Sequence, residues 1–190
     1  MNSLKQVTTS IRFLLVITLV LGIGYPLVSF GVGTIFAKHQ IHGSLRSVNG
    51  KIVGSTLIGQ SFSGEQWFHS RPSNAGSTGY DALSSGASNL GPNDPNLTAT
   101  LTTRKAAIAK EEAVPLSAVP ADAITSSASG LDPDISVAYA DLQAMRVATA
   151  EKLTLNQVMT KIKAATHHRL LGFLGEETVN VLTLNLSLKR

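Results

Sequence analysis

The chain contains no cysteine, which excludes disulfides, thiolate nucleophiles and Cys-ligated metals while leaving the compartment open. Acidic residues are missing from the first 64 positions, Glu65 being the first of twelve. Aromatics make up only 5% of the residues and nowhere interleave with Lys/Arg runs, so a nucleic-acid partner has no support. The pI near 9.5 overstates the basicity of the part beyond residue 37, where fourteen Lys and Arg are set against all twelve acids. No internal repeat is present.

Charge is also absent from Phe13 to Ala37, FLLVITLVLGIGYPLVSFGVGTIFA, twenty-five residues. A bilayer core of about 30 Å needs about 20 apolar residues in a helix, so the run predicts a transmembrane helix over 13–37. Arg12 and Lys38 bracket it as snorkelling residues do, and Pro26 and the glycines are tolerated in a membrane helix. A cleaved signal peptide would have a shorter apolar core and a small-x-small site, which Ile35-Phe36-Ala37 matches poorly. Ser29 and Gly33 form a small-xxx-small pair suited to packing on a partner helix, with Pro26 able to bend the segment. Lys5 and Arg12 on one side balance Lys38, Arg46 and Lys51 on the other, and the orientation stays open on charge alone. The expected organisation is a tail over 1–12, the span over 13–37 and one soluble domain over 38–190. The basic stretch 38–64 reads as juxtamembrane sequence near lipid headgroups, or equally as a solvated linker.

From Arg71 to Pro95, seventeen of twenty-five residues are Gly, Ser, Asn, Asp or Pro. That composition excludes a helix or strand, and the irregular placing of Arg71-Pro72, Tyr80-Asp81 and Asn89-Leu90-Gly91-Pro92 argues for a structured loop rather than a linker. Asn89, Gly91 and Pro92 are expected to set its backbone. Arg71 and Asp81 either tie it down or face a partner, and the rigid turn made by Pro72 favours tying down.

Elsewhere the pattern predicts an α+β domain, short strands in a sheet covered by helices. Two strands are expected within 51–68 around turns at Gly54, Gly59 and Gly64. A helix capped by Asp94 or Asn96 runs to about Glu112, a short strand covers 123–125, Ser136 caps a helix to about Glu151, and Thr154 caps another with Leu155, Val158, Met159 and Ile162 on one stripe. His167 and His168 fall near that helix end. Leu182, Leu184, Leu186 and Leu188 alternate with polar residues, the period of a half-buried strand.

Chemistry is sparse. Gly50-Lys51 lacks the residues of a phosphate loop, and Ser85-Gly86-Ala87-Ser88 lacks the nucleophile elbow and any assignable base. His39, His42, His167 and His168 have no evident converging ligand, and Asp132 and Asp134 around Pro133 read as turn formers. On the residues alone the chain is a membrane-anchored interaction domain.

Ordered blocks make it more specific. Gly54-Ser55-Thr56-Leu57-Ile58-Gly59-Gln60-Ser61-Phe62, Trp67 to Ser73, Tyr80-Asp81-Ala82 into Ser85 to Pro92, Ala128 to Ser136, the helix with Gln143 and Arg146, and Leu171 to Glu176 into Val179 to Leu182 resemble the C subunit of the Kdp potassium-transporting ATPase over nearly the whole chain. Ala87 replaces a usual glycine and Trp67 a smaller aromatic.

The resemblance implies an accessory, non-catalytic subunit of a bacterial inner-membrane pump, anchored with a cytoplasmic amino end and an extracytoplasmic domain. The implied partners are the potassium-translocating A subunit, the ATP-hydrolysing B subunit, a small F-type accessory subunit where present, and membrane lipid. It also implies a role as catalytic chaperone that raises the B subunit's affinity for ATP, with nucleotide contacts at Ser85, Gly86, Ser88, Asn89, Gly91 and Gln143. The residues offer amide and hydroxyl donors there but no Lys or Arg within the Ser85 to Gly91 signature, and an extracytoplasmic domain does not reach cytosolic nucleotide. The expectation is therefore no cofactor of its own, with any effect on ATP transmitted through the subunits. The competing readings are an anchored binding module unrelated to transport and an envelope hydrolase.

Overall fold

A run of helix, Ser3–Phe36, 34 residues long, dominates the first of two units, Met1–Leu45 and Arg46–Arg190, of a computed structural model that describes residues 3–189. It comprises α1 (Ser3–Leu19), a π-helical turn (Val20–Gly24) and α2 (Tyr25–Phe36). The π turn accommodates Pro26, which has no N–H to donate and whose ring would press on the carbonyl four residues back; Tyr25 N–H instead reaches Val20 O. At 1.5 Å per residue the run is about 50 Å long, more than the apolar core of a bilayer. It is apolar enough to cross a membrane, and it begins ahead of the uncharged segment, so residues 3–12 are helical too. Thr8, Thr9 and Thr34 return their hydroxyls to carbonyls one turn back, so the helix satisfies these donors itself.

At Ala37 the helix breaks, and α3 (Lys38–Ile41) brings Ile41 back over Gly33. A Cβ at Gly33 would lie 2.7 Å from Ile41 Cγ2, so Gly33 accommodates the chain's own side chain rather than lying open to a partner helix as the small-xxx-small pair suggested.

The second unit is α+β. Strands β1 (Leu45–Val48) and β2 (Lys51–Ser55) form a two-stranded sheet around Asn49 and Gly50, whose φ values of 50° and 77° fit a two-residue hairpin turn. The second strand expected before Phe68 does not form, because the backbone of residues 68 and 69 is bonded to side chains instead. Helix α4 (Pro95–Glu111) is capped by Asp94, whose carboxylate accepts from Asn96 N–H at 2.8 Å. After a 3-10 turn (Leu116–Ala118), the expected strand at 123–125 is helix α5 (Ala121–Ile124), which buries Ala123.

Then follow β3 (Asp134–Ser136), α6 (Val137–Glu151), α7 (Leu155–Ala165), β4 (Thr166–His167), β5 (Thr178–Asn180) and α8 (Val181–Leu188). The second sheet is antiparallel in the order β3-β5-β4, with Ile135 opposite Val179. Ser136 caps α6, and Thr154 with Gln157 forms a capping box on α7, as their positions predicted. Helix α7 stops at Ala165, so His167 lies in β4 and His168 just beyond it.

The clearest reversal is at the carboxyl end: 181–188 is a helix, not a strand. Asn180 caps it by accepting from Thr183 N–H at 3.1 Å, and the buried positions include Val181, Leu184, Asn185 and Leu188, a helical i, i+3, i+4, i+7 face. Alternation hid this because Asn185 is inward and Leu186 is not fully buried. One core joins Ala140, Ala144 and Ala148 of α6 to Val158 and Ile162 of α7, Val179 of β5 and Leu184 and Leu188 of α8. The alanines let α6 pack close, and each fully buried Val, Ile or Leu contributes about 1.5–3 kcal/mol. Leu155 and Met159 of the predicted α7 stripe remain partly exposed.

Candidate functional site

Residues 56–94 contain no helix or strand, yet side chains from distant elements hold them at two places. The first clamp acts on Phe68 and His69. Asn185 of α8 accepts from Phe68 N–H at 2.9 Å and donates to Phe68 O at 3.0 Å; Gln143 of α6 accepts from His69 N–H at 2.6 Å and donates to His69 O at 3.1 Å. Each amide side chain thus replaces a strand partner, and both are buried. Arg146 extends the clamp by donating to Glu65 O at 2.7 Å, Trp67 O at 3.0 Å and Gln143 Oε1 at 2.9 Å, and it pairs with Glu112 at 2.9 Å. Burial raises the Glu112 carboxyl pKa in spite of Arg146, and burial, with Arg146 next, lowers that of His69.

The second clamp joins the two breaker-rich segments to each other. Arg71 pairs with Asp132 at 2.8 Å and reaches Thr125 O at 3.4 Å, so Arg71 ties the loop down as Pro72 suggested. Ser73 Oγ donates to Gly130 O at 2.6 Å and accepts from Ala75 N–H and Tyr80 N–H at 3.2 and 2.8 Å. The Tyr80 hydroxyl donates to Arg71 O, and burial raises its pKa. Asp81 stays local, accepting from Leu83 N–H at 2.9 Å. At Gly130, with φ 66°, a Cβ would lie 2.6 Å from Gly86 O and 2.7 Å from Ala75 N, so three stretches of backbone converge where only glycine fits. Asp132 additionally accepts from Asp134 N–H at 3.0 Å, the turn role expected of it.

The residues that the family resemblance places at a nucleotide separate in this arrangement. Ser85 Oγ and Gly86 N–H both donate to Ser129 O at 2.9 Å, and Gln143 is committed to His69. Asn89 adopts φ 52°, consistent with its backbone role, whereas a Cβ at Gly91 would meet nothing within 4 Å. Pro92 lies in the turn closed by Asp94 N–H to Gly91 O at 3.0 Å.

Ser88 and Leu90 line a cavity of about 400 Å³ with Leu97, Leu101 and Arg104 of α4. Arg104 donates to Ile124 O at 3.1 Å and Ser126 Oγ at 3.4 Å, and burial lowers its pKa. This cation beside the signature was not legible locally, because it lies fourteen residues beyond Leu90. Gln143 is not part of that cavity. No cluster of three metal-ligating side chains occurs among the described residues, and His168 pairs with Glu177 at 2.8 Å.

The family model described as "K+-transporting ATPase, c chain" matches residues 7–190. A Mycobacterium tuberculosis protein named potassium-transporting ATPase KdpC subunit is 48% identical over 187 residues, covering 98% of both chains. Proteins of the same name from Kineococcus radiotolerans and Acidobacterium capsulatum are each 47% identical over 188 residues, covering 99% of this chain and 95% and 98% of their own. This chain belongs to the KdpC family, the c chain of potassium-transporting ATPases.

Proposed function

We propose that the chain is an accessory, non-catalytic subunit of the ATPase, anchored in the bacterial inner membrane by its amino-terminal helix with the folded domain outside. Its partners in this reading are the potassium-translocating A subunit and the ATP-hydrolysing B subunit. The observation that carries it is the commitment of Gln143 and Asn185 to the backbone of His69 and Phe68. Polar groups that an enzyme would aim at substrate are spent here on fixing the shape of a loop, and a fixed shape serves packing against larger subunits. Deleting the chain should abolish growth at micromolar external potassium and leave growth at millimolar potassium intact. Unimpaired uptake in the deletion strain would refute it.

Support for ATP binding by the B subunit is, in this reading, a coupling free energy transmitted between subunits. Burial of Gln143 and engagement of Ser85 and Gly86 support that view. Arg104 beside Ser88 favours the alternative, direct contact with an anion such as a nucleotide phosphate. Titration of the purified full chain with ATP, wild type beside Arg104→Ala, decides between them. Saturable micromolar binding that is lost in the variant selects direct contact.

A further inference from the structure

The acid-free stretch that follows the long helix folds into a hairpin that the core does not use. Every residue of β1 and the first two of β2, Lys51 and Ile52, are exposed, so neither face of the tip is covered. Side chains alternate across a strand, and a two-residue turn at Asn49 and Gly50 sets Val48 opposite Lys51, which puts Val48 and Ile52 on opposite faces. They are 41% and 65% exposed. A core that packs neither face gives no reason for an apolar residue on each.

Charge around the tip has one sign. Arg46 and Lys51 flank it, neither takes part in an ion pair among the described residues, and no acidic residue precedes Glu65. Guanidinium and ammonium are both open to an external anion.

Connectivity keeps this tip near the end of the long helix. In the first unit Ile41 lies against Gly33, four residues inside the last uncharged position, Ala37, and Ser44 N–H closes onto His39 O at 3.1 Å. Four helical residues span about 6 Å, and the four from Ile41 to Leu45 reach at most about 14 Å. Leu45, where β1 begins, therefore lies within roughly 8 Å of the end of the uncharged run, and the headgroup layer is about 5–8 Å thick on each side of a bilayer. A protein surface packs on one face of a hairpin, whereas a tip entering that layer meets lipid on both faces. Anionic phosphates there match Arg and Lys that have no carboxylate of their own.

We propose that the β1–β2 hairpin is a lipid-binding element. Its tip enters the headgroup layer on the carboxyl side of the span, Val48 and Ile52 reach the acyl boundary, and Arg46 and Lys51 take phosphates of anionic phospholipid. This rests on the anchored reading above and not on the identity of any partner subunit.

The test uses the full chain, whose lack of cysteine lets Val48→Cys, Ile52→Cys or, as control, Leu83→Cys carry a single environment-sensitive fluorophore; Leu83 is 99% exposed. Each is reconstituted in vesicles of phosphatidylcholine, with or without phosphatidylglycerol, that contain headgroup spin-labelled lipid as quencher. The expected result is quenching at positions 48 and 52 and not at 83, at least about twofold stronger in the anionic vesicles, since each basic residue near such a surface contributes a factor of about five. Arg46→Gln with Lys51→Gln should return the signal to its phosphatidylcholine level with the unfolding temperature unchanged, and high salt should do the same. Equal quenching in the two kinds of vesicle, or quenching that survives the double variant, overturns the proposal and leaves the anchor intact. Shielding of position 48 only in the complete ATPase, with no lipid quenching in the chain alone, overturns it as well and makes the tip a protein contact. Release of the wild-type chain from vesicles by alkaline carbonate removes the anchored reading and the proposal together.

Discussion

Gln143 holds His69 by two hydrogen bonds, Oε1 accepting from the His69 N–H at 2.6 Å and Nε2 donating to the His69 carbonyl at 3.1 Å, across 74 residues of sequence. The residue that family resemblance places at a nucleotide is here a structural partner for one residue's backbone. Replacing it with leucine leaves a buried donor and acceptor unpaired and takes one acceptor from Arg146, at a cost of about 2–4 kcal/mol. Thermal unfolding of Gln143→Leu should fall by at least about 5 °C. An unchanged midpoint would mean the clamp is not what holds the loop.

Arg71 should behave as a tie. Its ion pair with Asp132 is mostly shielded from solvent, the two side chains being 23% and 30% exposed, and its bonds to Thr125 add a second attachment. Arg71→Ala should cost about 1–3 kcal/mol, read from a urea midpoint. If stability is untouched while recovery of the complex is lost, Arg71 is an interface residue instead.

Gly130 and Gly91 make a contrasting pair. Alanine at Gly130 would place its Cβ 2.6 Å from Gly86 O at φ 66°, while at Gly91 it meets nothing within 4 Å. Gly130→Ala should destabilise by about 2 kcal/mol or more, since backbone cannot retreat as a side chain would, and Gly91→Ala should lie within about 0.5 kcal/mol of wild type. Equal midpoints for the two variants would contradict the three-way convergence.

His69 predicts a pH dependence. Burial, followed by Arg146, lowers its pKa from 6.5, so the unfolded chain takes up the proton first. The contribution to stability is present above pH 6.5 and is lost as pH falls through the lower folded-state value. The urea midpoint of wild type should therefore drop between pH 7.5 and 5.5 by more than that of His69→Gln. Parallel profiles would remove His69 from the account.

Several elements were legible because their determinants are local. The uncharged run predicts its long helix, and Asp94, Ser136 and Thr154 mark helix starts through their own neighbours' N–H groups. Asn49-Gly50 carried a hairpin signal that the glycine count around Gly54 obscured. The carboxyl-terminal leucines misled because a period of two and a helical face share positions 184 and 188, and only the Asn180 cap and the inward Asn185 decide between them. Residues 123–125 resemble a strand in composition but follow Pro120, which starts a helical turn.

By itself the sequence determined that the chain carries a segment able to span a membrane, that 71–95 is a structured loop and that Gly50-Lys51 and Ser85 to Ser88 complete neither a phosphate loop nor a nucleophile elbow, since each depends on composition or on residues a few positions apart. Only the tertiary structure decided what holds the loop. Phe68 meets Asn185 across 117 residues, Arg71 meets Asp132 across 61, and Arg104 shares a cavity with Ser88 and Leu90. Contacts of that separation leave no periodicity along the chain, because they are set by how helices α4, α6 and α8 pack and not by the residues adjacent to either partner.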